Sequence, residues 1–325
     1  MKLTVCEDVF PIAGAFTISR GTRTESRVVT VELERDGVRG WAECYPYARY
    51  GETVESVIAQ IKAQANALAD GMDRITLQDA MPPGAARNGL DCAFWDFEAK
   101  SAGQRMWDIA GLPAPRPEIT VYTLSLEDPD VMRARAAENA HRPVLKIKLG
   151  GSGDIERLQA VREGAPNSKI VVDANEGWNA ETYAKIAPVV LDLGVAMVEQ
   201  PLPADNDAAL NGMDRPLPVC ADEACHDRAS LPALVGKYDM INIKLDKTGG
   251  LTEALALKDE AIAQGFQVMV GCMIGSSLGM APATLIAQGC AVVDLDGPLL
   301  LATDRDTPLT YDADGVHPPS ADLWG

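Results

Sequence analysis

The chain has 325 residues, 47% hydrophobic and 23% charged, which are the proportions of an ordinary globular enzyme with room for one large domain or two. Its net charge is −18 and it has no basic cluster, so nucleic acid and anionic membranes are not expected as partners. The start MKLTVCEDVF has no apolar core of signal-peptide length, no later stretch approaches a membrane span, and seven cysteines without a CxxC pair read as reduced thiols. A cytoplasmic location is therefore expected.

In chain order, Val28 to Glu34 and Val38 to Cys44 alternate apolar and polar residues across Asp36-Gly37, a hairpin signal. Glu52 to Ala69 and Ala85 to Ala102 then carry apolar residues at helical spacing. Strands followed by helices predict an α+β capping domain over residues 1–115. Across residues 116–297, short β-branched runs recur. They close at Thr123 (ITVYT), Lys148 (VLKIK), Asp173 (KIVVD), Glu199 (VAMVE), Asp222 (PVCAD), Lys244 (MINIK), Cys272 (VMVGC) and Asp294 (AVVD). The interval runs from 22 residues (Asp222 to Lys244) to 28 (Lys244 to Cys272). That is the length of one strand, one amphipathic helix and two short loops, with helices such as Thr182 to Leu193 and Leu251 to Gln264. Eight such units predict an α/β fold with a (β/α)8-type, TIM-like barrel. Residues 298–325 are irregular and rich in proline, and are expected to return to the capping domain.

Chemistry in such barrels sits at the C-terminal strand ends, and six of the eight closing residues are charged. With Thr123 closing strand 1, Lys148 closes strand 2 and Lys244 closes strand 6, diametrically opposite. Asp173, Glu199 and Asp222 close strands 3, 4 and 5 as an arc of carboxylates between the lysines. Side chains two apart on a strand point the same way, so Lys146, Asn175, Asp246 and Asp296 are expected at the mouth as well.

Three clustered carboxylates repel one another unless a cation neutralises them. An all-oxygen set without His or Cys suits Mg²⁺, which keeps positions open for substrate oxygens. A solvated set of surface acids is the bland alternative, and three consecutive strand ends weigh against it. Two lysines facing each other across a metal imply proton chemistry on both faces of a substrate. A metal-bound carboxylate lets its α-proton leave as an enediolate, one lysine takes that proton, and the other returns one to the opposite face. Such a base needs a lowered pKa, and both Mg²⁺ and Lys146 would disfavour the ammonium form. The alternative for either lysine is a simple ion pair, with Asp246 the obvious partner of Lys244. Asp294 and Asp296 put two anions on the side away from the metal, suited to a substrate ammonium or, equally, to capping the next helical segment.

The Lys146-x-Lys148 pair, Lys244 and the three acids resemble the enolase superfamily, where lysine bases work with Mg²⁺, and within it the muconate-lactonizing-enzyme subgroup. FTISRGTRTES, AECYPYARYGE, GAARNGLDCAFWD, VVDANEGW, VEQPLP, CADEACH, INIKLDKTGGLTEAL, GCM and DLDGPL, in this order, resemble dipeptide epimerases of the L-Ala-D/L-Glu type nearly end to end. The resemblance implies Mg²⁺ ligands at Asp173, Glu199 and Asp222. It implies acid/base roles for Lys148 and Lys244, with Lys146 assisting at the substrate carboxylate. It also implies that Asp294 and Asp296 bind a dipeptide ammonium, that Arg23 selects an acidic C-terminal residue, and that Thr123 and Cys272 line the site. Arg20 is the other candidate for the arginine contact.

The implied activity is epimerisation of a small dipeptide, in recycling of cell-wall peptides. N-acylamino acid racemase, o-succinylbenzoate synthase and cycloisomerase chemistry are the alternatives, and none of them needs a paired acid for an ammonium. An inactive barrel kept as a binding protein would be expected to have lost a base or a ligand, and all five are present. A homo-oligomer is compatible with the sequence. Gly150-Gly151-Ser152-Gly153 lacks the third glycine of GxGxxG, and the spacing of Cys220, Cys225 and His226 is not a zinc pattern. Trp95, Phe97 and Trp107 read as cap core, and His141 and His317, without a partner in context, as structural.

Overall fold

The structure is a computed structural model that describes residues 1–325. The chain opens with three antiparallel strands, β1 (Lys2–Ile18), β2 (Gly21–Arg35) and β3 (Val38–Cys44), in the order β1-β2-β3. Arg35 pairs with Val38 across Asp36 and Gly37, whose φ angles are 54° and 80°. Two left-handed residues match the right-handed twist of the flanking strands, and Asp-Gly adopts them readily. β1 has no counterpart among the predicted elements. Pro11 and Gly14 interrupt its alternation, and its ladder with β2 shifts register between Pro11 and Phe16. Beyond the shift, the hairpin tip reaches the barrel mouth, where Leu126 N–H donates to Thr17 O at 3.0 Å and Thr17 N–H to Ser125 Oγ at 3.3 Å.

The helix Ala85–Ala102 spans the predicted residues and is buried on nearly every side. It lies so close to β3 that a Cβ on Gly40 would stand 2.3 Å from Phe97 N. The predicted helix from Glu52 to Ala69 divides into Val54–Lys62, opened by a Thr53/Ser56 capping box, and Ala65–Ala69.

Eight parallel strands follow: β4 (Tyr122–Leu124), β5 (Val144–Lys148), β6 (Lys169–Asp173), β7 (Val195–Glu199), β8 (Val219–Ala221), β9 (Met240–Ile243), β10 (Gln267–Val270) and β11 (Val292–Val293). They pair in sequential order, and Val121 N–H to Val293 O at 2.9 Å draws the two ends of the sheet together into a barrel. The outer layer is uneven. Full helices follow β4, β5, β6 and β9, whereas β7 is followed by the 3₁₀ turn Ala208–Leu210, β8 by the short helix Leu231–Leu234, and β11 by the 3₁₀ turn Gly297–Leu300.

Inside the barrel, Val121, Val171, Met197, Cys220, Met240, Met269 and Val292 form one apolar cluster. Five of them stand two residues before Thr123, Asp173, Glu199, Asp222 and Asp294, so strand alternation stacks the polar mouth on an apolar floor. After β11 the chain runs back over the antiparallel sheet. Arg305 bonds Asp8 and Glu43, Trp324 Nε1 donates to Cys92 O, and Gly325 N–H to Asp96 Oδ1. No helix is long and apolar enough to cross a membrane, and all seven cysteines are free.

Candidate active site

The strand ladders set three charges side by side: Lys148 pairs in register with Asp173, and Asp173 with Glu199. Asp222 follows directly after β8. One carboxylate oxygen from each of Asp173, Glu199 and Asp222 lies within 4.8 Å of the other two, and all three residues are buried. The protein's own ammonium groups surround this triad. Lys148 Nζ lies 2.6 Å from Asp173 Oδ2, and Lys244 Nζ 2.7 Å from Asp222 Oδ2. Lys146 Nζ lies 2.6 Å from Glu199 Oε2, 2.5 Å from Asp294 Oδ2 and 3.4 Å from Asp173 Oδ2.

A cavity opens between the hairpin and the barrel mouth. Its walls include Thr123, Lys146, Lys148, Lys244, Cys272, Asp294, Asp296 and Arg23. Of the triad, only Asp222 reaches the wall.

The electrostatics follow from burial against charge. Burial opposes ionisation of Asp222, but Lys244 and Lys247 overcome it and hold the carboxyl well below its usual range. Asp173 is lowered to about 2 in the same way, with Lys148 and Lys146 acting against burial. Glu199 moves oppositely, to about 7, because burial and the charge of Asp173 outweigh Lys146. Burial alone would lower Lys146 and Lys244. Asp294 and Glu199 raise the first, and Asp222 and Glu199 the second, well above the ordinary lysine value. At Lys244 the carboxylates that face the ammonium group directly thus outweigh burial.

The donor set fits a hard divalent cation. It consists of three buried carboxylates, and Glu199 Oε2 has no hydrogen-bond partner, since the approach of Lys146 Nζ at 2.6 Å misses hydrogen-bond geometry.

Asp246 does not face the mouth. β9 ends at Ile243 and the chain turns into the helix Leu245–Thr248, so the two-residue alternation stops. Asp246 instead accepts from Tyr45 N–H at 2.9 Å and Asn88 Nδ2 at 2.8 Å, which leaves Asp222 as the partner of Lys244. Asp296 does not cap the turn that follows it. Its carboxylate accepts Thr123 N–H at 2.6 Å, and burial, then Asp294, push it up to about 7. His317, expected to have no partner, has its Nε2 2.7 Å from Asp312 Oδ2, and neither residue lines the cavity.

The two arginines of the hairpin differ. Arg20 uses both terminal nitrogens, on Asn175 O (2.9 Å), Glu176 Oε2 (3.1 Å), Tyr47 OH (2.9 Å) and Glu223 Oε1 (2.7 Å). Arg23 makes no ion pair, and its guanidinium stands 5.6 and 5.5 Å from the ring centres of Tyr45 and Tyr47.

Three residues beside the triad escaped the sequence reading. Lys247 Nζ donates to Asp222 Oδ1 and Asp222 O, both at 2.6 Å, and to Asn242 O at 2.9 Å. Asn242 Nδ2 donates to Glu199 Oε1 at 2.7 Å. Gln200, at φ 33°, accepts Asp222 N–H at 2.9 Å through Oε1. The available signal was their place inside EQP and INIKLDK, beside the charged closing residues.

Residues 1–111 match the model of the mandelate racemase/muconate lactonizing enzyme N-terminal domain, and residues 131–318 match the enolase C-terminal domain-like model. The chain belongs to the enolase superfamily, in its muconate-lactonizing-enzyme subgroup. This superfamily member is 47% identical over 315 residues to the L-Ala-D/L-Glu epimerase of Escherichia coli (strain K12), covering 96% of this chain and 98% of the relative. It is 43% identical to the N-acetyl-D-glutamate racemase of Pseudoalteromonas sp, covering 88% of this chain and 91% of the relative. Among solved structures, it superposes with a TM-score of 0.97, at 52% identity and 99% coverage of both chains, on an enolase family member from Agrobacterium tumefaciens with homology to dipeptide epimerases, with bound sodium and L-Ala-L-Glu. A dipeptide epimerase from Enterococcus faecalis V583, complexed with Mg and L-Leu-L-Tyr, superposes with a TM-score of 0.91 at 28% identity, covering 99% of this chain and 98% of that one.

Proposed function

We propose that the protein is a Mg²⁺-dependent isomerase, a dipeptide epimerase of the L-Ala-D/L-Glu type working by two-lysine 1,1-proton transfer. The observation that carries this reading is the placement of Lys148 and Lys244 on opposite strands of one mouth, each against an outer member of a single carboxylate triad. Asp173, Glu199 and Asp222 would hold Mg²⁺, which when bound supplies Lewis-acid stabilisation of the charge that develops on the substrate carboxylate. Lys146, at the cavity wall beside the triad, donates to that carboxylate. Lys148 and Lys244 serve opposite faces of the α-carbon, one removing a proton and the other delivering one, so the centre inverts. Asp294 and Asp296 receive the dipeptide ammonium beside Thr123 and Cys272. Arg23, free of any acid of its own, meets the glutamate side chain.

The cap is read as residues 1–115, the barrel as 116–297, and the returning segment as 298–325. Seven unpaired thiols support a reducing, cytoplasmic setting, and an Ala-Glu substrate supports a place in recycling of cell-wall peptides.

Racemisation of an N-acylated glutamate is the second reading, favoured by the 43% identity to an N-acetyl-D-glutamate racemase. It leaves the pair Asp294 and Asp296 without an ammonium to bind. The deciding experiment incubates protein and Mg²⁺ in D₂O with L-Ala-L-Glu and, separately, N-acetyl-L-glutamate. Deuterium at the glutamate α-carbon and formation of L-Ala-D-Glu are expected. Exchange on N-acetylglutamate alone would replace the first reading with the second.

A further inference from the structure

Arg20 occupies the turn at the tip of the β1–β2 hairpin, where Ile18 pairs with Gly21. Its guanidinium spans two barrel loops at once. One terminal nitrogen bonds Asn175 O and the Glu176 carboxylate in the loop after β6, and the other bonds Glu223 in the loop after β8 together with Tyr47 OH. Ser19 Oγ adds a second bond to Asn175 O at 2.9 Å.

These loops flank two of the three triad carboxylates. Asn175 gives Asp173 both its N–H, at 2.8 Å, and its Nδ2, at 3.1 Å, and Glu223 directly follows Asp222. Asn175 and Glu176 sit at φ 43° and 64°, a left-handed region that asparagine adopts readily and glutamate seldom does. The Glu223 side chain is 1% exposed and its Oε2 has no hydrogen-bond partner, so the arginine is the cation that balances it. Three residues further along the same hairpin stands Arg23.

We propose, resting on the epimerase reading above, that Arg20 is a positioning residue. It clasps the substrate-facing hairpin to the loops after β6 and β8, and so fixes Arg23 and the surroundings of Asp173 and Asp222 together. Only a planar fork reaches all four acceptors, whereas a lysine ammonium is a point donor.

The clasp acts on geometry that every substrate shares. Arg20→Met therefore lowers kcat/KM for L-Ala-L-Leu as well as for L-Ala-L-Glu, by about 10- to 100-fold and mainly through KM, with L-Ala-L-Glu losing at least as much because Arg23 rides on the same hairpin. Arg20→Lys recovers only part of the loss. Glu176→Gln, which leaves Arg20 in place and removes one acceptor charge, gives a smaller loss of the same kind and serves if Arg20→Met does not fold.

Hydrogen–deuterium exchange without substrate supplies a readout separate from turnover. Amides of residues 17–24 and 174–177 should exchange faster in Arg20→Met than in wild type, while those of the barrel strands keep their protection. A loss confined to L-Ala-L-Glu would make Arg20 a selector and overturn the clasp, and unchanged exchange at the tip would overturn it too. Wild-type protein inactive on both dipeptides would instead remove the epimerase reading, while the exchange data would still decide the clasp.

Discussion

On the barrel side of the cavity, Lys146, Lys148 and Lys244 are buried and each amino group lies within 2.7 Å of a carboxylate oxygen; on the cap side, Arg23 is exposed and pairs with no acid. The barrel charges hang from strands whose ladders fix their spacing, and each is the counter-ion of the next. Moving one leaves a buried partner unbalanced. The cap charge hangs from a hairpin tip that packs against aromatic rings, and can change without unbalancing anything beneath it. Under the proposed function, chemistry is held by the rigid half of the site, and choice of substrate by the half that tolerates change.

The largest expected effects break the barrel side. Lys148→Ala and Lys244→Ala should each lower epimerisation by about 10²- to 10⁴-fold, the usual contribution of one acid/base group. If the two lysines serve opposite faces, the variants retain solvent exchange, if any, into opposite isomers, which mass spectrometry with chiral separation reads directly. Near-wild-type interconversion in either variant would end the two-base mechanism.

Removing the metal should be as severe. Chelation should abolish turnover and added Mg²⁺ should restore it, and protein that stays fully active after chelation would remove the metal from the mechanism. The triad members should differ in stability, because Glu199 shares Lys146 with Asp294, whereas Asp222 alone faces both Lys244 and Lys247. Asp222→Asn leaves two buried ammonium groups short of a partner and should lose roughly 3 kcal/mol, more than Glu199→Gln. Equal melting temperatures for the two would show that Lys247 is not part of the balance.

An intermediate effect is expected at Lys247. It donates twice to Asp222 without itself lining the cavity between hairpin and barrel mouth, so Lys247→Met should weaken Mg²⁺ binding by about 10- to 100-fold. Titration calorimetry checks the affinity, and unchanged preference among dipeptides would place Lys247 with the rigid half.

The same division explains what could be read from the sequence. On strands, one residue both shapes the fold and carries the charge, so the recurrence of runs ending in Lys148, Asp173, Glu199 and Lys244 exposed the barrel and, with it, the cluster of charges proposed as the site. Legibility ended where alternation ended. Past Ile243 the chain enters a helical turn, and there Asp246 was misplaced and Lys247 passed over. In β1 the register shift after Pro11 erased the pattern and hid a 17-residue strand. The stretches after β7, β8 and β11 have no long helix to impose a 3.6-residue period, so the evenness of the eight units concealed an uneven outer layer. Arg20 lies in the hairpin turn and Arg23 at the start of β2, only three residues on, so the two could be separated only by what each one touches.

The smallest and most selective effect is expected at Arg23. In the proposed complex its guanidinium meets the glutamate carboxylate, a charge-assisted contact of ~1.5–3 kcal/mol. Arg23→Met should lower kcat/KM for L-Ala-L-Glu by about 10- to 150-fold, since ~1.4 kcal/mol is tenfold. L-Ala-L-Leu never uses that contact, so its kcat/KM should hold or rise as the methionine adds apolar surface beside Tyr45 and Tyr47. Nothing on the barrel side depends on Arg23, and Mg²⁺ affinity and melting temperature should therefore match wild type. The ratio between the two dipeptides is the quantity to measure. A ratio that does not move would take selection away from Arg23, whereas a moved ratio accompanied by weaker metal binding would show that the two halves of the site are coupled more tightly than their construction implies.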